Sequence, residues 1–365
     1  MRKYYNELNL IRIVVACGIA FWYHYMIIFG YAPGINVGSN GAWLSDFSYM
    51  GVELFFSLSG FVMYMSYHER ISGHQVSFPK FMLRRVKRIY PMMILSVCCM
   101  AFAQWTSQIM FHHYAILDVY DGRNTIKACF LSILGLNSGW FCDHDQLSIN
   151  GVTWFISIVM LCYAIYYLIT YFAKVKWFRN LLFITMIVFG MGLMAYPVEK
   201  PLLYISCARG YLDFFLGVIM AEITDWIEEK NLQKYAGMLG IVGVLLYAVY
   251  GWKATSIMHN YAISFALNMG IMFIITNFRI FCEVSSNRVI SFAGSIAFEI
   301  YLWNLPSFAL MVFIIEISKV AYPFDTFVGW IGIITVNVLL ALSTKYMVER
   351  IEKKVERSKE NEKVH

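Results

Sequence analysis

The sequence predicts an all-α, polytopic membrane protein with about ten transmembrane helices. Of its 365 residues, 59% are hydrophobic and only 14% are charged, which is far less charge than a soluble domain needs to cover its surface. Apolar runs of about 18 residues or more recur along the whole chain, and runs of this length are typical of transmembrane helices. Because the runs do not alternate between apolar and polar residues, they favour helices over membrane-spanning strands.

These apolar runs define ten predicted spans. No small-residue cleavage site follows the first of them, Leu8 to Gly30, so we expect it to remain a span and not to be removed as a signal peptide. The predicted spans are 8–30, 48–67, 91–109, 152–172, 180–197, 207–224, 235–252, 259–277, 289–316 and 327–346. A shorter apolar stretch, Thr125 to Leu136, predicts a re-entrant or surface helix.

The distribution of positive charge predicts the orientation of the spans. Most of the 29 lysines and arginines fall on the side that carries both termini, and Arg12 lies within the first span. The exceptions, on the opposite side, are Arg123, Lys127, Lys200, Arg209, Lys253 and Lys319. Since cytoplasmic loops carry the excess of lysine and arginine, both termini are predicted in the cytoplasm. Residues 1–347 form the predicted transmembrane domain, and residues 348–365 form a charged cytoplasmic tail.

A few ionisable residues lie inside the predicted spans. They are Arg12, His24, Glu53, Asp213 and Glu299, together with Glu222 near the inner end of the sixth span. Such groups are costly in a bilayer unless they are paired or hydrated, so they are candidates for function. His24, Glu53 and Asp213 are predicted in the outer half of the membrane, where they can converge.

Structural explanations are open for these residues as well. His24 lies among aromatic residues typical of a membrane–water interface, and Glu53 can pair with a helix N-terminus or another side chain. Asp213 follows Arg209 by four residues, a spacing that favours a local ion pair. Glu299 can be a buried structural acid.

A basic cluster precedes the third predicted span. It contains Arg84, Arg85, Lys87 and Arg88, and Tyr90 follows it. Positive residues at the inner end of a span can reflect topology alone. The same density of guanidinium donors also suits a phosphate-rich cofactor, so the cluster by itself leaves both interpretations open.

Four stretches, in their order along the chain, carry a family resemblance. They are Leu10-Ile11-Arg12 with an apolar run to His24, Gly51 to Phe61 (GVELFFSLSGF), Arg84 to Pro91 (RRVKRIYP), and Ser295 to Trp303 (SIAFEIYLW). Together they resemble acyltransferase family 3, the membrane family of bacterial O-antigen and exopolysaccharide O-acetyltransferases. The second stretch is the most specific match, and the four together span nearly the whole chain.

The resemblance implies an enzyme of the bacterial cytoplasmic membrane. It would transfer an acyl group, usually acetyl, from cytoplasmic acyl-coenzyme A to a hydroxyl of an extracytoplasmic or lipid-linked saccharide, without a metal. His24 is then expected to act as a general base or to carry the acyl group. Arg12 would hold the donor or stabilise negative charge, and Glu53 would orient the imidazole.

The same resemblance assigns cofactor binding to Arg85, Arg88 and Tyr90, which would contact the phosphates of coenzyme A. No nucleic-acid partner is expected, and the oligomeric state is open. A polytopic transporter or flippase of a saccharide is the alternative function, and an acyltransferase-like protein without activity is a third.

Three positions depart from the family pattern. The family usually separates its arginine and histidine by ten residues, whereas eleven separate Arg12 from His24. At about 100° per residue, twelve steps leave the two side chains about 120° apart, and eleven steps leave them about 20° apart. We therefore predict a one-residue π-bulge near Gly18 that restores the register. The other departures are Val159, where many relatives have glutamate, and Asn304, where the late motif often has histidine.

Overall fold

The structure is a computed structural model that describes residues 8–30, 50–116, 123–143, 147–250 and 257–362. Helices occupy most of these residues, and no strand occurs among them. The first half of the chain contains α1 (Leu8–Cys17), a π-helical segment (Gly18–Tyr23), α2 (His24–Phe29), α3 (Gly51–Ser72), α4 (Phe78–Phe111), α5 (Ile126–Leu134), a 3₁₀ turn (Gly151–Thr153) and α6 (Trp154–Phe172). The second half contains α7 (Lys176–Ala195), α8 (Ile205–Glu229), α9 (Gln233–Tyr250), α10 (Ile257–Asn277), α11 (Arg279–Ser286), α12 (Arg288–Ser295), α13 (Ala297–Ser318) and α14 (Phe327–Glu362).

The prediction of an all-α polytopic membrane protein is confirmed. Each of the ten predicted spans falls on one or more of these helices. In the described part of the chain, six helices are long and apolar enough to cross a membrane, and a bent pair, Phe265–Asn277 with Arg279–Ser286, raises the number to seven if it is one broken span. Helices α3 and α8 fall below that threshold because polar and charged side chains lower their hydropathy, although Glu53, Arg209 and Asp213 among them are buried inside the bundle.

Some boundaries differ from the prediction. Helix α4 begins at Phe78 and not near residue 91, so the basic cluster lies on the helix itself. Hydropathy marks only the apolar part of a helix, whereas Pro79 is compatible with a helical first turn. The ninth predicted span is broken between α12 and α13, which places Glu299 in the first turn of α13 and not in the middle of a span. Helix α14 continues past residue 347 to Glu362.

Helices α3 and α8 pack against each other with their backbones in direct contact. A Cβ atom on Gly60 would collide with the carbonyl of Phe214, and one on Gly217 would collide with the carbonyl of Ser57. Ser57 Oγ also donates a hydrogen bond to the Asp213 carbonyl, at 3.0 Å. Small residues permit such close helix contacts within membranes. Because Gly60 belongs to the most specific sequence motif, that motif is in part a packing motif.

The short apolar stretch after α4 forms α5, which packs along α4. One face of α5 is an exposed apolar stripe made of Ile126, Phe130 and Leu134. At its end, the carbonyl of Leu134 accepts a hydrogen bond of 2.8 Å from Tyr90 Oη. Tyr90 lies about 32 Å before the end of α4 at Phe111, at 1.5 Å per residue. The chain therefore returns along α4 over most of its length, which fits a re-entrant helix better than a surface helix.

Candidate active site

The first span contains the π-helical segment that the residue spacing predicts. It covers Gly18–Tyr23, and at its end the backbone N–H of His24 donates to the carbonyl of Ile19, five residues earlier. The predicted π-bulge is therefore confirmed. Within the segment, the carbonyl of Phe21 accepts a hydrogen bond of 2.7 Å from Trp330 Nε1. Helix α14 thus supplies a partner to the irregular backbone, which buried polar groups require.

The imidazole of His24 contacts α13. Asn304 Nδ2 lies 3.0 Å from His24 Nδ1, at hydrogen-bonding distance. Asn304 is fully buried, and its backbone carbonyl accepts a 2.7 Å hydrogen bond from Ser307 Oγ. Asn304, one of the departures from the family pattern, therefore contacts the candidate catalytic imidazole directly.

A cavity of about 370 Å³ lies among the helices below His24. It is lined by residues of α1, α3, α4, α6, α13 and α14, together with the end of α12. Its charged lining consists of four cationic side chains and one carboxylate: Arg12, Arg85, Arg88, Lys345 and Glu299. The volume lies in the range of small-molecule sites. The structure thus brings Arg12 together with the arginines of α4, as an anion site requires.

The other end of the cavity is apolar and aromatic. Phe55 and Phe155 have ring centroids 6.2 Å apart, and Tyr301 lies 5.7 Å from the first and 5.9 Å from the second. Val159, one turn from Phe155 on α6, also lines the cavity. The departure at Val159 therefore leaves this wall apolar where many relatives have a carboxylate.

His24 lies just beyond this aromatic end and is not part of the cavity lining. Its partner Asn304 follows the lining residue Tyr301 by three residues on α13, which is about 4.5 Å along the helix axis. The partner of the imidazole therefore lies about one helical turn along α13 from the aromatic lining of the cavity.

The basic cluster divides into residues that line the cavity and residues that do not. Arg85 and Arg88 share a helix face because they are three residues apart. Arg85 Nη2 donates to Tyr67 Oη at 2.7 Å, and its guanidinium lies 4.7 Å from the centroid of that ring. Tyr90, two residues after Arg88, points to another face, does not line the cavity and donates to the Leu134 carbonyl. The structure thus separates Tyr90 from the two arginines with which the resemblance groups it.

Glu53 is engaged with another helix. Its Oε1 accepts a 2.5 Å hydrogen bond from Arg209 Nε, and both side chains are 1% exposed. The Arg209 guanidinium also lies 4.7 Å from the centroid of the Trp154 ring. Glu53 makes no hydrogen bond to His24 in the described part of the chain. The expected orienting role of Glu53 thus has no geometric support, and Asn304 holds the place next to the imidazole.

Asp213 does not join His24 either. Its Oδ1 accepts a 3.0 Å hydrogen bond from Asn268 Nδ2 of α10, and both residues are 1% exposed. Whereas the sequence spacing favours a local pair between Asp213 and Arg209, the ion pair that forms joins Arg209 to Glu53 across helices. These residues form a buried polar layer that links α3, α8 and α10.

Sequence reasoning missed two residues of the cavity region. Lys345 looks like one more positive residue at the end of the last span, yet its Nζ donates to the carbonyl and Oγ of Ser295 at 2.7 and 3.0 Å. Tyr67 has no motif that marks it as a partner of Arg85.

Across the described ranges, no three His, Cys, Asp or Glu side chains come together in a way that could hold a metal ion.

Comparison with known proteins agrees with this architecture. Residues 5–346 match the sequence model of acyltransferase family 3, described as an acyltransferase domain. The chain is 21% identical over 314 residues to the peptidoglycan O-acetyltransferase OatA of Listeria monocytogenes. This alignment covers 77% of this chain and 48% of the relative. The chain thus spans about half the length of this curated relative. No solved structure matches it. Because the family match extends over nearly the whole sequence and several helices are long and apolar enough to cross a membrane, the chain belongs to acyltransferase family 3 and is a multi-pass membrane protein.

Proposed function

We propose that this protein moves an acyl group, acetyl in the simplest case, from cytoplasmic acyl-coenzyme A to a hydroxyl of an extracytoplasmic or lipid-linked saccharide. The observation that carries the proposal is the two-ended cavity below His24. One end has four cationic side chains, and the other has three aromatic rings. A donor with anionic phosphates at one end and an acyl thioester at the other is complementary to this lining.

The cationic end supplies the contacts for the phosphates. Guanidinium groups bind phosphate through paired, charge-assisted hydrogen bonds, and Arg85 is held in place by Tyr67. Arg85 Nε is buried without a hydrogen-bond partner among the described residues. A buried donor without a partner is unfavourable, and an anionic ligand in this cavity would relieve it. With the termini in the cytoplasm, this end faces the cytoplasmic pool of the donor.

The apolar end supports binding of the acyl group. Phe55, Phe155 and Val159 offer no charge that would disfavour an acyl chain. The thioester would then lie against the aromatic rings, about one helical turn from the imidazole of His24. In this arrangement the donor enters from one side of the membrane and the acceptor reaches His24 from the other.

His24 is the proposed general base. Nε2 takes the proton of the acceptor hydroxyl while the new oxygen–carbon bond forms at the thioester carbonyl. The carbon–sulfur bond then breaks, and the same proton passes from Nε2 to the coenzyme A sulfur, so the imidazole ends as it began. Arg12, which lines the cavity on the same helical span, would stabilise the negative charge that develops on the thioester oxygen. An acyl group carried briefly on Nε2 uses the same nitrogen.

The saccharide acceptor is inferred from the relative whose name specifies one. That relative is a peptidoglycan O-acetyltransferase, and a hydroxyl on a sugar is the simplest acceptor for this chemistry. We infer that the protein lies in the cytoplasmic membrane of a bacterium, where coenzyme A is available at the inner face and cell-surface glycans at the outer face.

A donor-binding experiment tests the first half of the proposal. The double variant Arg85→Ala/Arg88→Ala should weaken binding of acetyl-coenzyme A by at least about 10-fold, because charge-assisted hydrogen bonds contribute about 1.5–3 kcal/mol each. The matched control is Arg84→Ala/Lys87→Ala, which removes the same charge from the same helix turns but changes no lining residue of the cavity. If both double variants weaken donor binding equally, the basic cluster serves membrane topology and does not form the phosphate site.

A second experiment tests the acceptor. Mass spectrometry of cell-surface glycans should show ester-linked acyl groups in cells that carry the protein and not in cells that lack it. If the glycans of the two strains are identical, a cell-surface saccharide is not the acceptor, even if the protein binds the donor as expected.

A further inference from the structure

The hydrogen bond between Asn304 and His24 carries an inference beyond the choice of substrates. Asn304 Nδ2 lies 3.0 Å from His24 Nδ1, so one ring nitrogen is already occupied by the protein. Asn304 is fully buried, and its Oδ1 is also buried without a hydrogen-bond partner among the described residues. A buried amide oxygen left unpaired next to an imidazole is an acceptor with no present donor.

We propose that Asn304 is a positioning residue that engages Nδ1 of His24 through either end of its amide, so that Nε2 is the nitrogen that meets the reactants. This inference rests on the proposed function, in which His24 is the base. It does not depend on the identity of the donor or the saccharide.

The two ends of the amide correspond to the two tautomers of the ring. With Nδ2 donating to Nδ1, the neutral ring carries its proton on Nε2 and cannot accept a proton there. A half-turn of the Asn304 amide brings Oδ1 to Nδ1, where it accepts from Nδ1–H, so that the lone pair of the neutral ring is on Nε2. When Nε2 takes the hydroxyl proton, the Nδ1–H bond to Oδ1 is retained in the imidazolium. The proton then leaves Nε2 for the thiolate sulfur, and Nδ1 keeps its own throughout.

The backbone of α13 around Asn304 is buried and hydrogen-bonded. Ser307 Oγ donates to the Asn304 carbonyl at 2.7 Å, and Asn337 of α14 donates to the carbonyl of Ile300, one turn earlier, at 3.2 Å. Asn304, Ser307 and Asn337 are all fully buried. A buried side chain on this part of α13 can set the direction of a ring that lies on another helix.

In the described part of the chain, the ionisable groups on the helices around His24 include Glu53, Tyr25, Glu299 and Tyr23. Glu53 of α3 is paired with Arg209, and the Tyr25 hydroxyl donates to a backbone carbonyl in the connection before α14. Glu299 precedes Asn304 by five residues on α13, about 7 Å along the axis. Tyr23, beside His24 in sequence, has its ring centroid 5.2 Å from the imidazole. Among the described residues, a carboxylate introduced at position 304 would therefore be the charge closest to Nδ1.

The test compares Asn304→Leu with Asn304→Asp. The leucine variant removes both ends of the amide, and kcat should fall at least about 10-fold with little change in KM for acetyl-coenzyme A, because a well-placed base contributes about 10²–10⁴-fold. The aspartate variant keeps an acceptor for Nδ1–H. It should retain activity at its optimum, but the acid limb of kcat/KM should move up by about 1 pH unit or more, since an opposite charge at this distance favours imidazolium.

A structural role alone would give a different pattern. Asn337→Leu and Asn337→Asp make the same chemical changes at another fully buried asparagine, whose amide bonds the Ile300 carbonyl and not His24, and they should leave the pH profile in place. A second readout needs no turnover: the pH dependence of His24 carbethoxylation by diethyl pyrocarbonate, followed on its peptide, should move upward in Asn304→Asp only. An unmoved profile and unmoved modification in Asn304→Asp would overturn the assignment.

The outcomes also separate this inference from the proposed function. If His24→Ala abolishes transfer while Asn304→Asp shifts neither readout, the positioning role fails and the function stands. If His24→Ala transfers as well as the unmodified protein, the base assignment in the proposed function fails, and the role of Asn304 in the reaction fails with it.

Discussion

Removing Gly18 from the π-helical segment tests the geometry that joins Arg12 to His24. The extra residue in this segment makes the twelve steps between them equivalent to eleven steps of an α-helix, so that about 120° of separation becomes about 20°. Deletion of Gly18 should let the segment relax to a regular α-helix and leave His24 on its present face. We therefore expect transfer activity within about threefold of the unmodified protein.

The stability of the deletion variant follows from its contacts. The hydrogen bond from Trp330 to the carbonyl of Phe21 depends on the irregular backbone, and its loss should cost about 1 kcal/mol. The matched control inserts one alanine after Gly18. That insertion turns His24 by about another 100°, away from Asn304, and transfer should fall by about 10² or more, the usual contribution of a general base.

The assay is transfer from radiolabelled acetyl-coenzyme A in membranes that contain equal amounts of each variant. Donor binding is measured in parallel, because neither change touches the arginines of α4. An inactive deletion variant that still binds donor, or an insertion variant with full activity, would refute the claim that the π segment exists to restore the register of His24.

Three other predictions concern the fold. Breaking the buried pair with Glu53→Leu or Arg209→Leu should destabilise the protein by about 3–5 kcal/mol each, and the double variant should recover most of the lost stability. Thermal unfolding in detergent checks this: the melting temperature should fall by at least about 4 °C in the single variants and not in the double variant. Gly217→Val should reduce the amount of folded protein strongly, because its side chain meets the backbone of α3, and size-exclusion chromatography measures the loss. Reporter fusions that end after Lys230 should report a cytoplasmic position and those that end after Lys200 an external one; the reverse result would invert the topology.

Much of the fold could be predicted from the sequence because hydropathy acts locally. Apolar runs located the long helices, and the count of residues between Arg12 and His24, compared with the family spacing, predicted the π segment. The start of α4 and the break before α13 could not be predicted in this way, because hydropathy says nothing about helical turns that extend beyond the apolar run. The placement of Glu299 changed for this reason.

The site could be predicted only where sequence neighbours share a helix face. Arg85 and Arg88 line one cavity because of their spacing, whereas Tyr90 faces away for the same reason. The pairing of Glu53 with Arg209 and of His24 with Asn304 joins residues far apart in the chain. Such contacts depend on which helices are neighbours, and no local pattern in a single sequence specifies that.

The role of His24 as the base is best tested by measuring donor binding and acyl transfer side by side in His24→Ala. Purified His24→Ala should bind acetyl-coenzyme A within about threefold of the unmodified protein, because His24 lies outside the cavity lining. Its transfer to a saccharide acceptor should fall by about 10² or more. If the variant binds the donor normally and transfers at the normal rate, His24 is not the base.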